Sequence, residues 1–247
     1  MEQLYKNYTQ EDHEVWKILY DRQVLNLQGK ACKEYLDCVK AIKTSLDDRG
    51  VPDFRNVDQT LLDGTGWSIE VVKGLIPVEE FFPLLANRRF CSSTWIRSRA
   101  QLDYLEEPDM FHDTFGHLPL LLDKTYAAFV QRFGALGAQH VDNESVITAL
   151  QRLYWFTIEF GLMKGVDKPL IYGAGILSSF GESNHIYEGG IEVLPFDLNQ
   201  VIRNHFINSE IQMRYYLIDS FDQLYHSLDE MEELIEKGLD IAPQIVR

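Results

Sequence analysis

Pro108-Asp109-Met110-Phe111-His112-Asp113-Thr114-Phe115-Gly116-His117 is the most informative stretch of this chain. It holds two histidines five residues apart. On an ideal α-helix that spacing is about 140° of rotation, against roughly 40° for an i,i+4 pair. The pair therefore does not match the HExxH arrangement of zinc proteases. Pro108 predicts a helix start, Asp109 is favourable in the first turn, and Gly116 with Pro119 predicts the end. Gly116 then lets the chain leave the helix at His117, so that the two imidazoles can converge on one point beyond the helix end.

A second stretch supplies a third donor. In Leu153-Tyr154-Trp155-Phe156-Thr157-Ile158-Glu159-Phe160-Gly161-Leu162-Met163 the only acid is Glu159. A carboxylate among apolar neighbours costs several kcal/mol unless a cation or a metal accompanies it. Two histidines and one carboxylate form the facial triad of non-haem iron(II) oxygenases, which leaves three coordination positions for water, O2 or substrate. The plainer readings are a histidine that caps a helix or sits satisfied in the core, and a Glu159 paired with Arg152, two turns back on the same face.

Working outward, the 247 residues are long enough for one large domain with a sizeable core. Aromatic residues make up 12 %, which core packing explains first and an aromatic-lined pocket second. The net charge of −15 and pI near 4.8 argue against nucleic acid and anionic membranes as partners. The odd cysteine count, Cys32, Cys38 and Cys91 with no CxxC, predicts reduced thiols in a cytoplasmic protein. No signal peptide and no membrane-spanning apolar run is expected.

Thr9 to Asp12 reads as a capping box, followed by a helical stripe of Val15, Trp16, Leu19, Val24 and Leu27. After Gly29 a second helix carries Cys32, Tyr35, Leu36, Val39, Ile42 and Leu46. Residues 47–68 read as irregular connection, and Ser68 to Val72 as a short strand. Pro77 starts a helix through Phe82. Further helices are expected from Thr125 to Gly137, Val146 to Met163 and Ser227 to Lys237. Ile171 to Ser179 reads as a glycine-rich turn with extended flanks, and 190–218 as a strand or two around a helix. The fold class is mainly α: one domain of packed helices with a few short strands.

Three motifs in order carry a resemblance. They are Glu107-Pro108-Asp109 through His112 to Gly116-His117-Leu118-Pro119-Leu120, Tyr154-Trp155-Phe156-Thr157-Ile158-Glu159-Phe160-Gly161-Leu162, and Tyr172-Gly173-Ala174-Gly175-Ile176-Leu177-Ser178-Ser179-Phe180-Gly181-Glu182. Over 66–221 the chain resembles the pterin-dependent aromatic amino acid hydroxylases, and most of all their small bacterial members acting on phenylalanine. The resemblance implies an iron(II)- and tetrahydropterin-dependent monooxygenase that uses O2 to hydroxylate L-phenylalanine to L-tyrosine, with tyrosine or tryptophan as the alternative substrate. It implies that His112, His117 and Glu159 bind iron. Gly74, Leu75 and Ile76 line the pterin pocket, Phe81 stacks on the pterin ring, and Asp113, Gln151 and Tyr154 lie beside that cofactor. Arg97 pairs with the substrate carboxylate and Asp109 orients it. Pro108, Trp155, Gly175 and Ser178 belong to the substrate pocket.

Several positions depart from the animal pattern. Asp113 stands where animal members have Glu, Cys91 where they have His or Gln, and Val78 where a serine sits near the pterin. Asn208 falls at a position tied to substrate choice. Neither a regulatory domain nor a tetramerising helix is expected, so 1–247 reads as one catalytic domain, monomeric or weakly dimeric. Two rivals are a 2-oxoglutarate iron oxygenase, whose HxD spacing is missing, and a non-catalytic helical protein that binds iron or another ligand.

Overall fold

Helix formation begins where the capping groups sit. In this computed structural model, which describes residues 1–103, 105, 107–208 and 210–242, Thr9 Oγ1 accepts from the Asp12 backbone N–H at 3.2 Å. The Asp12 carboxylate in turn accepts from the Thr9 N–H at 2.7 Å. That closed capping box starts α1 (Gln10–Asn26), whose Val15, Trp16, Leu19 and Tyr20 are buried. Next, α2 (Lys33–Ile42) buries Tyr35, Cys38 and Ile42.

Residues 47–68 are not the irregular connection expected from their Gly, Pro and Asp content. They contain α3 (Phe54–Thr65), capped by the Asp53 carboxylate and closed by Gly66 at φ 78°. Phe54, Val57 and Leu61 form its buried stripe at i, i+3 and i+7. Its outer face carries Asp58, Gln59, Asp63 and Gly64, which is why composition alone hid it.

The strand β1 (Ser68–Val71), helix α4 (Val78–Ala86) and strand β2 (Arg89–Ser92) follow, with Pro77 just ahead of α4. The two strands pair in parallel, Ser68 opposite Arg89 and Val71 opposite Ser92. A parallel pair needs a crossover, and α4 supplies it. Then come α5 (Lys124–Gln139) and α6 (Glu144–Tyr154). The helix expected from Val146 to Met163 stops being regular at Trp155. Its last two residues form β3 (Leu162–Met163), which pairs antiparallel with β4 (Leu170–Ile171). The glycine-rich segment expected as a turn contains a short helix, α7 (Ala174–Leu177), followed by α8 (Phe180–His185).

Strand β5 (Glu192–Pro195), helix α9 (Leu198–Val201) and strand β6 (Arg214–Ile218) agree with the strands-around-a-helix expectation. β6 lies between β3 and β5 and runs parallel to both, giving the order β4-β3-β6-β5. Finally α10 (Phe221–Glu236), capped by Ser220, starts earlier than Ser227. One connected set of buried apolar side chains runs from Val15 in α1 to Met231 in α10. The mainly α class with few short strands is what the chain adopts. None of the described helices is long and apolar enough to cross a membrane.

Candidate metal centre and active-site pocket

Both segments that carry the candidate donors are widened turns. His112–His117 and Trp155–Glu159 each adopt the π-helical form, in which hydrogen bonds close over five residues instead of four. Phe160 N–H, for example, donates to Trp155 O at 2.9 Å. Widening rotates residues five apart onto one side, so His112 Nε2 and His117 Nε2 come within 3.3 Å. This corrects the expectation that the chain leaves the helix at His117, which lies within the widened turn. Gly116 stays inside the turn, buried, and a Cβ there would lie 2.9 Å from Ala174 O, so glycine lets α7 close against it.

Glu159 reaches the same point from the second turn. Its Oε1 lies 3.2 Å from His117 Nε2 and its Oε2 3.6 Å from His112 Nε2. The three donor groups all come within 4.8 Å of one another. Metal bonds of about 2.1 Å at right angles put neighbouring donors about 3.0 Å apart. Shifts of a few tenths of an ångström therefore suffice to hold one ion. Arg152 does not pair with Glu159; it donates instead to Ile202 O at 3.0 Å and Ala242 O at 2.8 Å.

The protonation states suit a cation. Burial pulls the His112 imidazole down to about 4, so it is neutral near pH 7. Burial alone would raise the Glu159 carboxyl, yet His117, His112 and a hydrogen bond from Tyr154 hold it at about 2. Ser178 Oγ donates to Ala174 O at 2.8 Å, so it accepts from His112 Nδ1–H at 2.9 Å. That bond fixes the tautomer that leaves His112 Nε2 bare. Ser178→Ala should lower metal affinity roughly 10- to 100-fold, the usual effect of losing an outer partner of a metal-binding imidazole. Anaerobic Fe(II) titration measures it, and an unchanged dissociation constant would contradict it.

The turn behind Glu159 is closed by backbone packing. Gly173 N–H donates to Gly161 O at 3.0 Å. A Cβ on Gly173 would lie 2.4 Å from Glu159 O and 2.4 Å from Gly161 N. Backbone atoms cannot yield as a side-chain tip can, so Gly173→Ala is expected to cost about 3 kcal/mol. A thermal melt should show a clear fall in Tm; an unshifted Tm would refute the close approach.

The triad forms the floor of a cleft of about 650 Å³. Gly74, Leu75, Ile76, Phe81, Gln151 and Tyr154 line one part of it, together with Asp113 and Cys91. Phe81 meets Tyr154 edge-on, with centroids 5.5 Å apart. Asp113 accepts from the Ser93 backbone N–H at 2.7 Å, and burial pushes its carboxyl up to about 7. Cys91, half-buried beside Asp113, has its thiol pushed up to about 12 by burial. Pro108, Trp155 and Asn208 also line the cleft.

Four of the expected site residues stand behind the wall. Arg97 and Asp109 are buried, with Nε on Oδ2 at 2.9 Å and Nη2 on Oδ1 at 2.8 Å. Asp109 also accepts the Arg97 backbone N–H at 3.0 Å and the His112 backbone N–H at 3.1 Å. The pair is thus bonded to the turn that carries His112. Ser178 sits against His112, and a Cβ on Gly175 would lie 3.0 Å from the Phe160 ring.

Some lining residues escaped the sequence reading. Glu144 and Thr148 share the Gln151 face of α6 at i, i+4 and i+7, so helical periodicity carried forward from Gln151 would have found them. Phe206, stacked on Trp155 at 4.3 Å, comes from an irregular loop and gave no periodic signal.

Residues 4–244 match the family model described as biopterin-dependent aromatic amino acid hydroxylase. The phenylalanine-4-hydroxylase of Ralstonia nicotianae is 43 % identical over 226 residues, 91 % of this chain and 71 % of that protein. That of Chromobacterium violaceum is 42 % identical over 219 residues, 88 % and 73 %. Among solved structures, C. violaceum phenylalanine hydroxylase with iron(III) and 7,8-dihydrobiopterin superposes at a TM-score of 0.89. It is 39 % identical and covers 99 % of this chain and 89 % of its own. The same enzyme with iron and phenylalanine bound gives 0.85 at 36 % identity, covering 99 % and 90 %. With its fold, its donor cluster and this match over nearly the whole length, the chain belongs to the biopterin-dependent aromatic amino acid hydroxylases.

Proposed function

We infer that this protein is a phenylalanine 4-monooxygenase, hydroxylating free L-phenylalanine to L-tyrosine with iron(II), a tetrahydropterin and O2. The observation that carries this reading is the convergence of His112, His117 and Glu159 on the floor of a cleft in a member of this family. These three residues would hold iron by one face, leaving the cleft side open. When bound, iron(II) and the reduced pterin supply the activation of O2 and the electrons for it.

The chain's own residues bind, orient and keep water out. Gly74, Leu75 and Ile76 would border the pterin, with Phe81 against its ring and Gln151, Tyr154 and Asp113 at its edge. The Tyr154 hydroxyl adds to the hold of His117 and His112 that keeps Glu159 ionised. Arg97 would take the amino acid carboxylate. Asp109 engages two of its five N–H donors and holds the guanidinium plane. Pro108 and Trp155 would flank the ring, with Gly175 and Ser178 shaping the wall behind the metal. Residues 1–247 would act as one catalytic unit, monomeric or weakly dimeric, in the cytoplasm; light scattering that finds a concentration-independent tetramer would contradict this.

The test is anaerobic Fe(II) loading, then product analysis with phenylalanine, tyrosine and tryptophan, each with tetrahydropterin in air. Tyrosine from phenylalanine, dependent on pterin, is expected. Oxygen uptake that requires 2-oxoglutarate, or stoichiometric iron without product, would overturn the reading. Asn208, exposed on the cleft wall, is where a preference for tyrosine or tryptophan would originate.

A further inference from the structure

Trp155 forms part of the cleft wall, and two rings press on it: Phe206 stacked at 4.3 Å and 11°, and Phe160 at 4.6 Å and 36°. Stacking restrains tilt but lets a flat ring slide and turn in its own plane. What opposes that motion is the indole N–H, which donates to Gln212 Oε1 at 2.7 Å. Gln212 is itself 9 % exposed and does not line the cleft.

Its amide cannot turn over. The Nε2 group donates to Arg214 O at 3.0 Å at the head of β6, so Oε1 must face Trp155. Its backbone is held as well: Tyr215 Oη donates to Gln212 O at 2.7 Å, and the Gln212 N–H bonds the Glu182 carboxylate. Gln212 thus joins the sheet and α8 to one in-plane edge of the indole. Phe206 and Asn208, a few residues ahead of it in the chain, line the cleft.

We propose that Gln212 is a positioning residue that sets the in-plane orientation of Trp155 and thereby the fit of the amino acid ring. The proposal rests on the functional reading above. It predicts a selective effect: the aromatic amino acid should feel the change, while the pterin and the metal, held by other residues, should not. Gln212 contributes an acceptor for one buried N–H, so its loss should weaken amino acid use about tenfold.

The experiment is a double-mutant cycle on the iron-loaded full chain: wild type, Gln212→Leu, Trp155→Phe and the double variant, with KM measured for phenylalanine and for the pterin. Expected are a phenylalanine KM about tenfold higher in Q212L, a pterin KM and iron content within about twofold of wild type, and a double variant no worse than the worse single one. That non-additivity reports a shared bond, because each change removes the same N–H contact. An unchanged phenylalanine KM in Q212L, equal rises for both substrates, or multiplicative effects in the double variant would overturn the proposal. Gln212→Met guards against misfolding of Q212L: it keeps the side-chain length, likewise offers the indole no oxygen acceptor, and should raise the phenylalanine KM about as much; an unchanged KM there counts against the proposal. A wild type that hydroxylates no aromatic amino acid sinks the functional reading and this inference together. A hydroxylating wild type with an unresponsive Q212L sinks the inference alone.

Discussion

Glu159→Gln is expected to remove nearly all turnover and to weaken iron binding by more than the roughly 100-fold that losing an outer hydrogen-bond partner costs. The amide keeps the shape of the side chain and one oxygen donor, so the widened turn at Trp155–Glu159 should persist. The charge is what disappears. Burial disfavours any net charge at this point, and only the opposed imidazoles and Tyr154 keep the carboxylate ionised. An incoming dication meets one carboxylate beside the two imidazoles in the native chain; in the variant it meets no negative charge. The amide NH2 can also face His117 Nε2, 3.2 Å from the carboxylate oxygen, and compete for its lone pair. Circular dichroism should remain native while anaerobic Fe(II) titration and tyrosine yield collapse. Full activity in this variant would remove Glu159 from the site.

Arg97→Ala carries the second large effect, and two losses combine in it. Asp109 is fully buried, and both its carboxylate oxygens accept N–H groups of Arg97. Truncating the arginine strands a buried carboxylate, which costs about 3–5 kcal/mol. Asp109 then loses the partner that orients it toward the His112 backbone N–H at 3.1 Å, so the first ligand turn loosens. On the substrate side, the guanidinium proposed to take the amino acid carboxylate is lost as well. The expected outcome is a lower Tm together with a phenylalanine KM raised far more than the pterin KM. Arg97→Lys separates the two: it restores charge to Asp109 but not the planar fork, so stability should recover more than substrate binding. A normal phenylalanine KM in both variants would take Arg97 out of the substrate site.

Much of this molecule was legible where local chemistry and periodicity agree. The Thr9–Asp12 capping box and the α1 stripe required nothing beyond nearest neighbours. The helix α3 was legible too, through Asp53, Gly66 and the Phe54, Val57, Leu61 spacing, but Gly64 and the Asp-rich context masked it. The widened turns were not legible. A π-turn costs hydrogen-bond geometry and persists only because tertiary packing holds it: α7 against Gly116, Tyr172 and Gly173 against the Glu159 turn. Two histidines five apart therefore looked mismatched on an ideal helix, although the real turn aligns them. The same holds for Arg152, whose partners come from residues 202 and 242, far along the chain. The donor residues were readable as candidates, because an isolated acid in an apolar helix and two histidines five apart, each weak alone, together point to a metal. Their convergence was a property of the folded chain.

The claim on which the rest depends is that one iron ion is shared by His112, His117 and Glu159. Crystals of the chain loaded anaerobically with Fe(II), measured on both sides of the iron absorption edge, test it most directly. A single anomalous peak is predicted on the cleft floor, about 2.0–2.3 Å from His112 Nε2, His117 Nε2 and a Glu159 carboxylate oxygen. A peak elsewhere, or none between these groups at full iron occupancy, would contradict the account.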